Sequence, residues 1–311
     1  MAIISASRRT DIPAFFADWF MSRVREGHFY RINPFNTGQV KGVSLAPEDV
    51  DAIVFWSKNP RPLMEHLEEL DRRGYRYYFQ FTLNPYGPVF EPYLPTLAER
   101  LAAFRELAGR IGANKVVWRY DPVILSSETP VEWHLERISA MAEELSGKTD
   151  RLVFSFLDFY GKVKNRLKEL ERRYGIRLYD IAAADNRDKM LSFAAGLKQI
   201  GENNGMEVLS CAEQEEFREA GIGHGSCIDG SLIRDLFGVD RTFARDKNQR
   251  GECLCVESVD MGMYNTCSFQ CAYCYANLSD RMIMANLAKH NPRSASIIND
   301  YAHITLPARN R

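Results

Sequence analysis

No cysteine stands before position 211, yet seven follow in the last third of the chain, so any thiol chemistry is confined to the C-terminal region. Long apolar runs are missing too: no stretch of about 18 apolar residues is found, which argues against an ordinary membrane-spanning helix. The opening Met1-Ala-Ile-Ile-Ser5 meets Arg8 and Arg9 almost at once, without the apolar core of a secretory leader, so a soluble cytoplasmic protein is expected. Charge of one sign is lacking as well. Forty Lys and Arg against 41 Asp and Glu leave a formal net charge of -1, which gives no global pull toward nucleic acid or an anionic membrane. No G-x-G-x-x-G follows any strand-like run, and this leaves a dinucleotide-binding sheet with little support. Sequence repeats, low-complexity tracts and linkers are also absent.

What is present suits a large core. The chain has 311 residues, 45% of them hydrophobic and 26% charged. Short β-branched or aromatic runs occur at residues 2–5, 52–56, 77–81, 116–119, 152–156 and 207–210. Between and after them lie helical patterns at about residues 15–25, 63–73, 94–110, 131–145, 188–203 and 213–220. Strand then helix, repeated about six times, predicts an α/β protein with a parallel sheet and right-handed crossovers. With that many units the expected form is a (β/α) barrel, partial or closed, over residues 1–210. A cysteine-rich region over 211–311 is expected to wrap on it. Phe29 to Leu45, with Asn36-Thr37-Gly38 at its centre, reads as an inserted β-hairpin.

Polar residues gather where the runs end. Asp11 follows the first run, Lys58 the second, Thr82 and Asn84 the third, and Arg119 and Asp121 the fourth. Active sites of β/α barrels lie at the C-terminal ends of the strands, so these are candidate site residues. Asn-Pro and Asp-Pro pairs among them also serve as plain turn punctuation.

Cys267-Ser-Phe-Gln-Cys271-Ala-Tyr-Cys274 places three thiols in one aromatic-flanked segment with no fourth beside them. A cubane iron-sulfur cluster normally takes four thiolates, so three would leave one iron open to a ligand that is not protein. Removing these three leaves Cys211, Cys227, Cys253 and Cys255, the number needed to close a second cluster. Plain buried cysteines are the alternative for Cys211 and Cys227. Zinc is the alternative for the three-cysteine run, although zinc sites usually take four ligands in C-x2-C pairs.

The C-x3-C-x2-C run with Tyr273 before its last cysteine resembles the cluster motif of the radical S-adenosylmethionine superfamily. Phe55-Trp-Ser-Lys58-Asn-Pro60 and Trp118-Arg119-Tyr-Asp121-Pro122 resemble strand ends of its spore photoproduct lyase-like branch. From Ser5-Ala-Ser-Arg-Arg-Thr-Asp11 to the cysteine run, the chain is similar to a bacterial family catalogued as domain of unknown function 1848. The resemblance implies an open-site 4Fe-4S cluster on Cys267, Cys271 and Cys274, with S-adenosylmethionine on the fourth iron. A reductant protein such as flavodoxin or ferredoxin is implied as partner, and the substrate is unknown. Tyr273 or Tyr275 would lie against adenine. Lys58 and Arg119 would bind an oxyanion, Asp11 and Asp121 would orient ribose or those cations, and Thr82 and Asn84 would add polar contacts. Most such enzymes carry the cluster loop after their first barrel strand. Here it lies near the C-terminus, which a permuted barrel would explain, with residues 256–260 as the strand leading into it.

Two other readings stay open, a non-catalytic iron-sulfur electron carrier or redox sensor and a zinc-stabilised binding protein. His224 lacks metal-ligand spacing and reads as a loop residue, though it would also serve to replace one cluster ligand. Residues 162–173 read as a solvated helix face; Lys162, Lys164, Arg166 and Lys168 would suit a phosphate backbone, which the charge balance does not favour. Met282 and Met284, just after the cysteine run, read as core packing in a helix.

Overall fold

The computed structural model describes residues 1–159, 161–181, 186–213, 217–299 and 301, and it divides the chain into two compact units. The first holds residues 1–78, 258–270 and 276–311; the second holds 79–257 and 271–275. Both are α/β.

In the first unit three strands lie parallel in the order β10 (Val259–Asp260), β1 (Ala2–Ala6), β4 (Val50–Ser57). β5 (Tyr77–Thr82) begins here, where the Ile53 N–H donates to the Arg76 carbonyl at 2.8 Å. β4 is buried along almost its whole length, which is why it reads as a continuous apolar run rather than an alternation. α1 (Ile12–Phe15) and α2 (Ala17–Glu26) follow β1, and α3 (Arg61–Met64) and α4 (Leu67–Arg72) follow β4. α2 ends on Gly27 at φ 74°, a left-handed cap that a residue without Cβ adopts freely.

The expected hairpin is present as β2 (His28–Asn33) and β3 (Asn36–Ser44), antiparallel. Its turn lies at Pro34-Phe35, just before the Asn36-Thr37-Gly38 expected at its centre. Proline presets the turn backbone and the Asn33 side chain accepts from the Phe35 N–H at 2.9 Å, so local turn chemistry wins over the Asn-Thr-Gly signal.

The second unit carries β5 onward in the parallel order β5, β6 (Val116–Val123), β7 (Arg151–Phe156), β8 (Glu207–Cys211), β9 (Gly223–Gly225). Its crossovers are α5 (Leu97–Ile111), α6 (Val131–Leu145), α7 (Gly161–Tyr174) and α8 (Arg187–Asn203). α5 starts on a capping box in which Thr96 and Glu99 satisfy each other's backbone N–H groups. All six expected strands and the five longest helical patterns have counterparts within a few residues. The pattern expected at 213–220 lies partly outside the described residues, and its described end is a single 3-10 turn, Arg218–Ala220. α9 (Gly230–Phe237) follows β9, and α10 (Asp280–Leu287) closes the first unit.

One packing expectation fails. In α10 the buried side chain is Ile283, while Met282 is 42% and Met284 71% exposed. Successive helical residues turn by about 100°, so a helix that buries Ile283 swings both neighbours off the core face.

Candidate functional site

In the first unit the polar groups cluster at the C-terminal ends of β1, β10 and β4. The Asp260 carboxylate, on the strand that enters the cysteine run, accepts from Ser5 Oγ at 3.0 Å, Ser7 Oγ at 2.7 Å, the Arg8 N–H at 3.0 Å and the Gly262 N–H at 2.9 Å. Four donors on one carboxylate tie the end of β1 to the start of that loop. Sequence reading missed Asp260 as a site residue; its only signal was a carboxylate ending a short strand. The guanidinium of Arg8 lies 5.9 Å from the Trp56 ring and that of Arg9 5.2 Å from Tyr264.

Asp11 caps α1 through the Ala14 N–H at 3.0 Å and accepts from Ser57 Oγ at 2.8 Å and the Lys58 N–H at 2.7 Å. Burial pushes its carboxyl up to about 7, against those three hydrogen bonds, which favour the charged form. Asp11 therefore joins the ends of β1 and β4 and fixes the backbone of Lys58, whose side chain is half-buried. Beyond β10 the loop is pinned by Asn265, at φ 57°, whose N–H donates to the Ala276 carbonyl at 2.9 Å and whose side chain accepts from the Leu278 N–H. Asn277 donates to the Cys267 carbonyl at 2.9 Å, and Phe269 packs on Phe15 at 4.5 Å between ring centres.

In the second unit Arg119 and Asp121, on β6, form a close ion pair, Nη2 to Oδ2 at 2.5 Å. Asp121 also accepts from Ser155, on β7, while its N–H donates to Asn84 Oδ1 at 3.0 Å and its carbonyl accepts from Asn84 Nδ2 at 3.0 Å. Asn84 thus holds the backbone of Asp121 through both its amide oxygen and its amide nitrogen, a positioning role. Thr82 pairs in register with Arg119.

Tyr273 is buried. Its hydroxyl donates to Glu91 and accepts from Asn84 Nδ2 at 3.4 Å, and burial, followed by the nearby Glu91 charge, pushes its phenol well up. Tyr275 is 48% exposed and Tyr273 buried, so Tyr275 is the more accessible of the two tyrosines. The Ala272 N–H donates to the Phe90 carbonyl at 2.9 Å and Arg166 donates to the Cys274 carbonyl, so the 271–275 segment is anchored at both ends. Glu91 and Glu213 were missed by sequence reading, since only burial distinguishes them. Glu213 accepts from the Phe156 N–H at 2.8 Å at the end of β7, and burial pushes its carboxyl up to about 7.

None of the seven cysteines is in a disulfide. Cys267 belongs to the first unit and Cys271 and Cys274 to the second. Among the described residues no group of three or more His, Cys, Asp or Glu is arranged to hold a metal ion. As a donor set the run fits thiolate ligation of iron. Cys267 and Cys274 are half-buried rather than sealed in the core, and Cys271 is buried. The other four fit a cluster less well. Sγ of Cys211 and Sγ of Cys227 lie 2.8 Å apart. Two thiolates on one tetrahedral zinc, with bonds of about 2.3 Å, would stand about 3.8 Å apart, and ligands on separate irons farther still. Cys255 Sγ accepts from the Ile228 N–H at 3.4 Å, and the Cys253 carbonyl accepts from Arg245 Nε at 3.2 Å. His224 sits on β9, opposite Ser210.

A cleft of about 480 Å³ opens at the other end of this sheet, against Val116, Arg151 and Glu207, the first residues of β6, β7 and β8. There Arg151 bridges Glu207 at 2.8 Å and Asp229 at 2.9 Å. No described helix is long and apolar enough to cross a membrane.

The family model described as Domain of unknown function (DUF1848) matches residues 3–276. No curated protein matches the chain. A solved structure described as an amidohydrolase from an environmental sample of the Sargasso Sea is similar over 74% of this chain and 56% of its own, with 13% identity and a TM-score of 0.31. A likeness that low carries no argument about function.

Proposed function

The chain belongs to this family, whose description names no activity, and from that premise we propose that it is a radical S-adenosylmethionine enzyme acting on an unidentified substrate. The observation that carries the proposal is the place of β10. This two-residue strand pairs parallel with β1, Ile4 opposite Val259 and Ser5 opposite Asp260, and the cysteine run follows its C-terminal end. A cluster loop after a strand beside β1 is what a permuted β/α barrel requires, and closure into such a barrel is part of the same proposal.

Cys267, Cys271 and Cys274 would hold a 4Fe-4S cluster by three irons. When bound, cluster and S-adenosylmethionine together supply reductive cleavage of a carbon-sulfur bond to give a 5'-deoxyadenosyl radical, with the electron from a flavodoxin- or ferredoxin-type donor. The protein's part is orientation and exclusion of water. Asp260 holds the loop's entry, Asp11 fixes the Lys58 backbone, and the Lys58 ammonium offers an oxyanion contact in the first unit. In the second, Asp121 holds the Arg119 fork in place and Tyr275 presents an aromatic face. A second cluster on Cys211, Cys227, Cys253 and Cys255 would require the first two sulfurs to part.

Anaerobic reconstitution with iron and sulfide, followed by electron paramagnetic resonance of the reduced protein with and without S-adenosylmethionine, tests this. A signal that shifts on addition, and is lost in Cys267→Ala, Cys271→Ala and Cys274→Ala, is expected. A signal indifferent to S-adenosylmethionine would turn the reading to an electron carrier or redox sensor. Zinc without iron would turn it to a metal-stabilised binding protein.

A further inference from the structure

Outside the three-cysteine run, the second unit contains a thiol pair with an asymmetric electrostatic setting. Cys211 ends β8, and the pairing of β8 with β9 sets it opposite Gly225, two residues before Cys227. Both thiols are buried, with their sulfurs 2.8 Å apart. Arg119 Nη1 lies 3.4 Å from Cys227 Sγ and donates to it. The Cys227 backbone is held by Gln80, whose Nε2 donates to its carbonyl at 2.7 Å. The guanidinium contact is made to Cys227 Sγ, and a sulfur that accepts from a guanidinium is favoured as the thiolate.

We infer that Cys211 and Cys227 form a redox site that closes to a disulfide on reaction with a peroxide. The Cys227 thiolate attacks one peroxide oxygen. A sulfur-oxygen bond forms, the oxygen-oxygen bond breaks, and hydroxide leaves from hydrogen peroxide, giving a sulfenic acid. Sulfur of Cys211 then attacks that of Cys227; the sulfur-sulfur bond forms, and the hydroxyl leaves as water with the proton of Cys211. The two thiols lose two electrons and the peroxide gains them. The sulfurs need to approach by less than about 1 Å to reach the usual bond length of about 2.05 Å. Closing the bond removes the thiolate facing Arg119 and leaves Asp121 as that guanidinium's anionic partner within the cluster. This inference does not rest on the cluster proposed for Cys267, Cys271 and Cys274, and it is an alternative to a second cluster on Cys211 and Cys227.

The full chain, purified without oxygen, is treated with one equivalent of hydrogen peroxide, alkylated with N-ethylmaleimide, and mapped by peptide mass spectrometry before and after reduction. A Cys211–Cys227 crosslink, 2 Da lighter than the dithiol and reversed by reductant, is expected. In Cys211→Ser a dimedone adduct should collect on Cys227, and Arg119→Met should slow crosslinking at pH 7 at least tenfold. If Arg119→Met oxidises at the wild-type rate, or if crosslinks involve Cys253 or Cys255 as often as Cys211, the inference is overturned. It is overturned too if Cys211, Cys227, Cys253 and Cys255 all resist alkylation until iron is chelated, which would instead show a second cluster. Loss of iron from Cys267, Cys271 and Cys274 would bear on the proposed activity alone.

Discussion

Gly262 has space as its constraint, not conformation, and this makes Gly262→Ala a sharp test of how β10 is tied to β1. A Cβ built on Gly262 would stand 2.6 Å from Ser7 Cβ and 3.1 Å from Thr10 Cγ2, and nearer still to Ser7 Oγ. Its φ is not in the left-handed region, so the cost comes from crowding alone. Relief requires Ser7 to move, and Ser7 is held by its 2.7 Å hydrogen bond to Asp260 and by accepting from the Arg9 N–H at 2.9 Å. Losing a hydrogen bond to a charged acceptor costs about 1.5–3 kcal/mol and overpacking about 1–3 kcal/mol, so Gly262→Ala should cost about 3–5 kcal/mol. Urea unfolding of wild type, Gly262→Ala, Ser7→Gly and the double variant gives the coupling directly. Ser7→Gly removes both near atoms, so the alanine should cost about 2 kcal/mol less in that background. A cost below about 1 kcal/mol, or the same cost in both backgrounds, would refute the claim that this contact fixes the entry to the cysteine loop.

Asp11 gives a pH signature. Its carboxyl is raised to about 7 in the folded protein against 3.8 in the unfolded chain, so the folded state binds the proton more tightly between these values. Asp11's share of stability should then be lost as pH rises from about 4 to 7, about 4 kcal/mol at 1.36 kcal/mol per unit; Glu213, also raised to about 7, loses stability over an overlapping range, so Asp11→Asn should reduce the slope, and an unchanged slope would assign it to Glu213 alone. Ile283→Ala should cost about 2–4 kcal/mol while Met284→Ala stays within about 0.5 kcal/mol, compared by urea midpoint; equal losses would restore Met284 to the core. Tyr273→Phe takes a donor from buried Glu91, which keeps Arg100 at 3.5 Å, and should cost about 1–3 kcal/mol. A neutral result by thermal unfolding would show that Glu91 finds another donor.

Sequence alone determined whatever is local or periodic. The runs at 52–56 and 116–119 mark strands because β4 and β6 are buried almost throughout, and a buried parallel strand has no polar face to disguise it. Lys58, Arg119 and Asp121 were legible because a charge directly ends an apolar run, and the cysteine spacing is legible because it is covalent. Tertiary structure decided the rest. Asp260 meets Ser7 across 253 positions, and Cys227 meets Arg119 across 108, distances over which composition holds no record of a partner. Glu91 and Glu213 differ from any surface glutamate only in what covers them. Met282 and Met284 show the converse: the sequence supplies an apolar helix segment, but packing picks the face that is buried, and here that face belongs to Ile283. Pairing of parallel strands set Cys211 beside Cys227 and β10 beside β1, since hydrogen bonding between strands distant in sequence is chosen by the whole sheet and not by either segment.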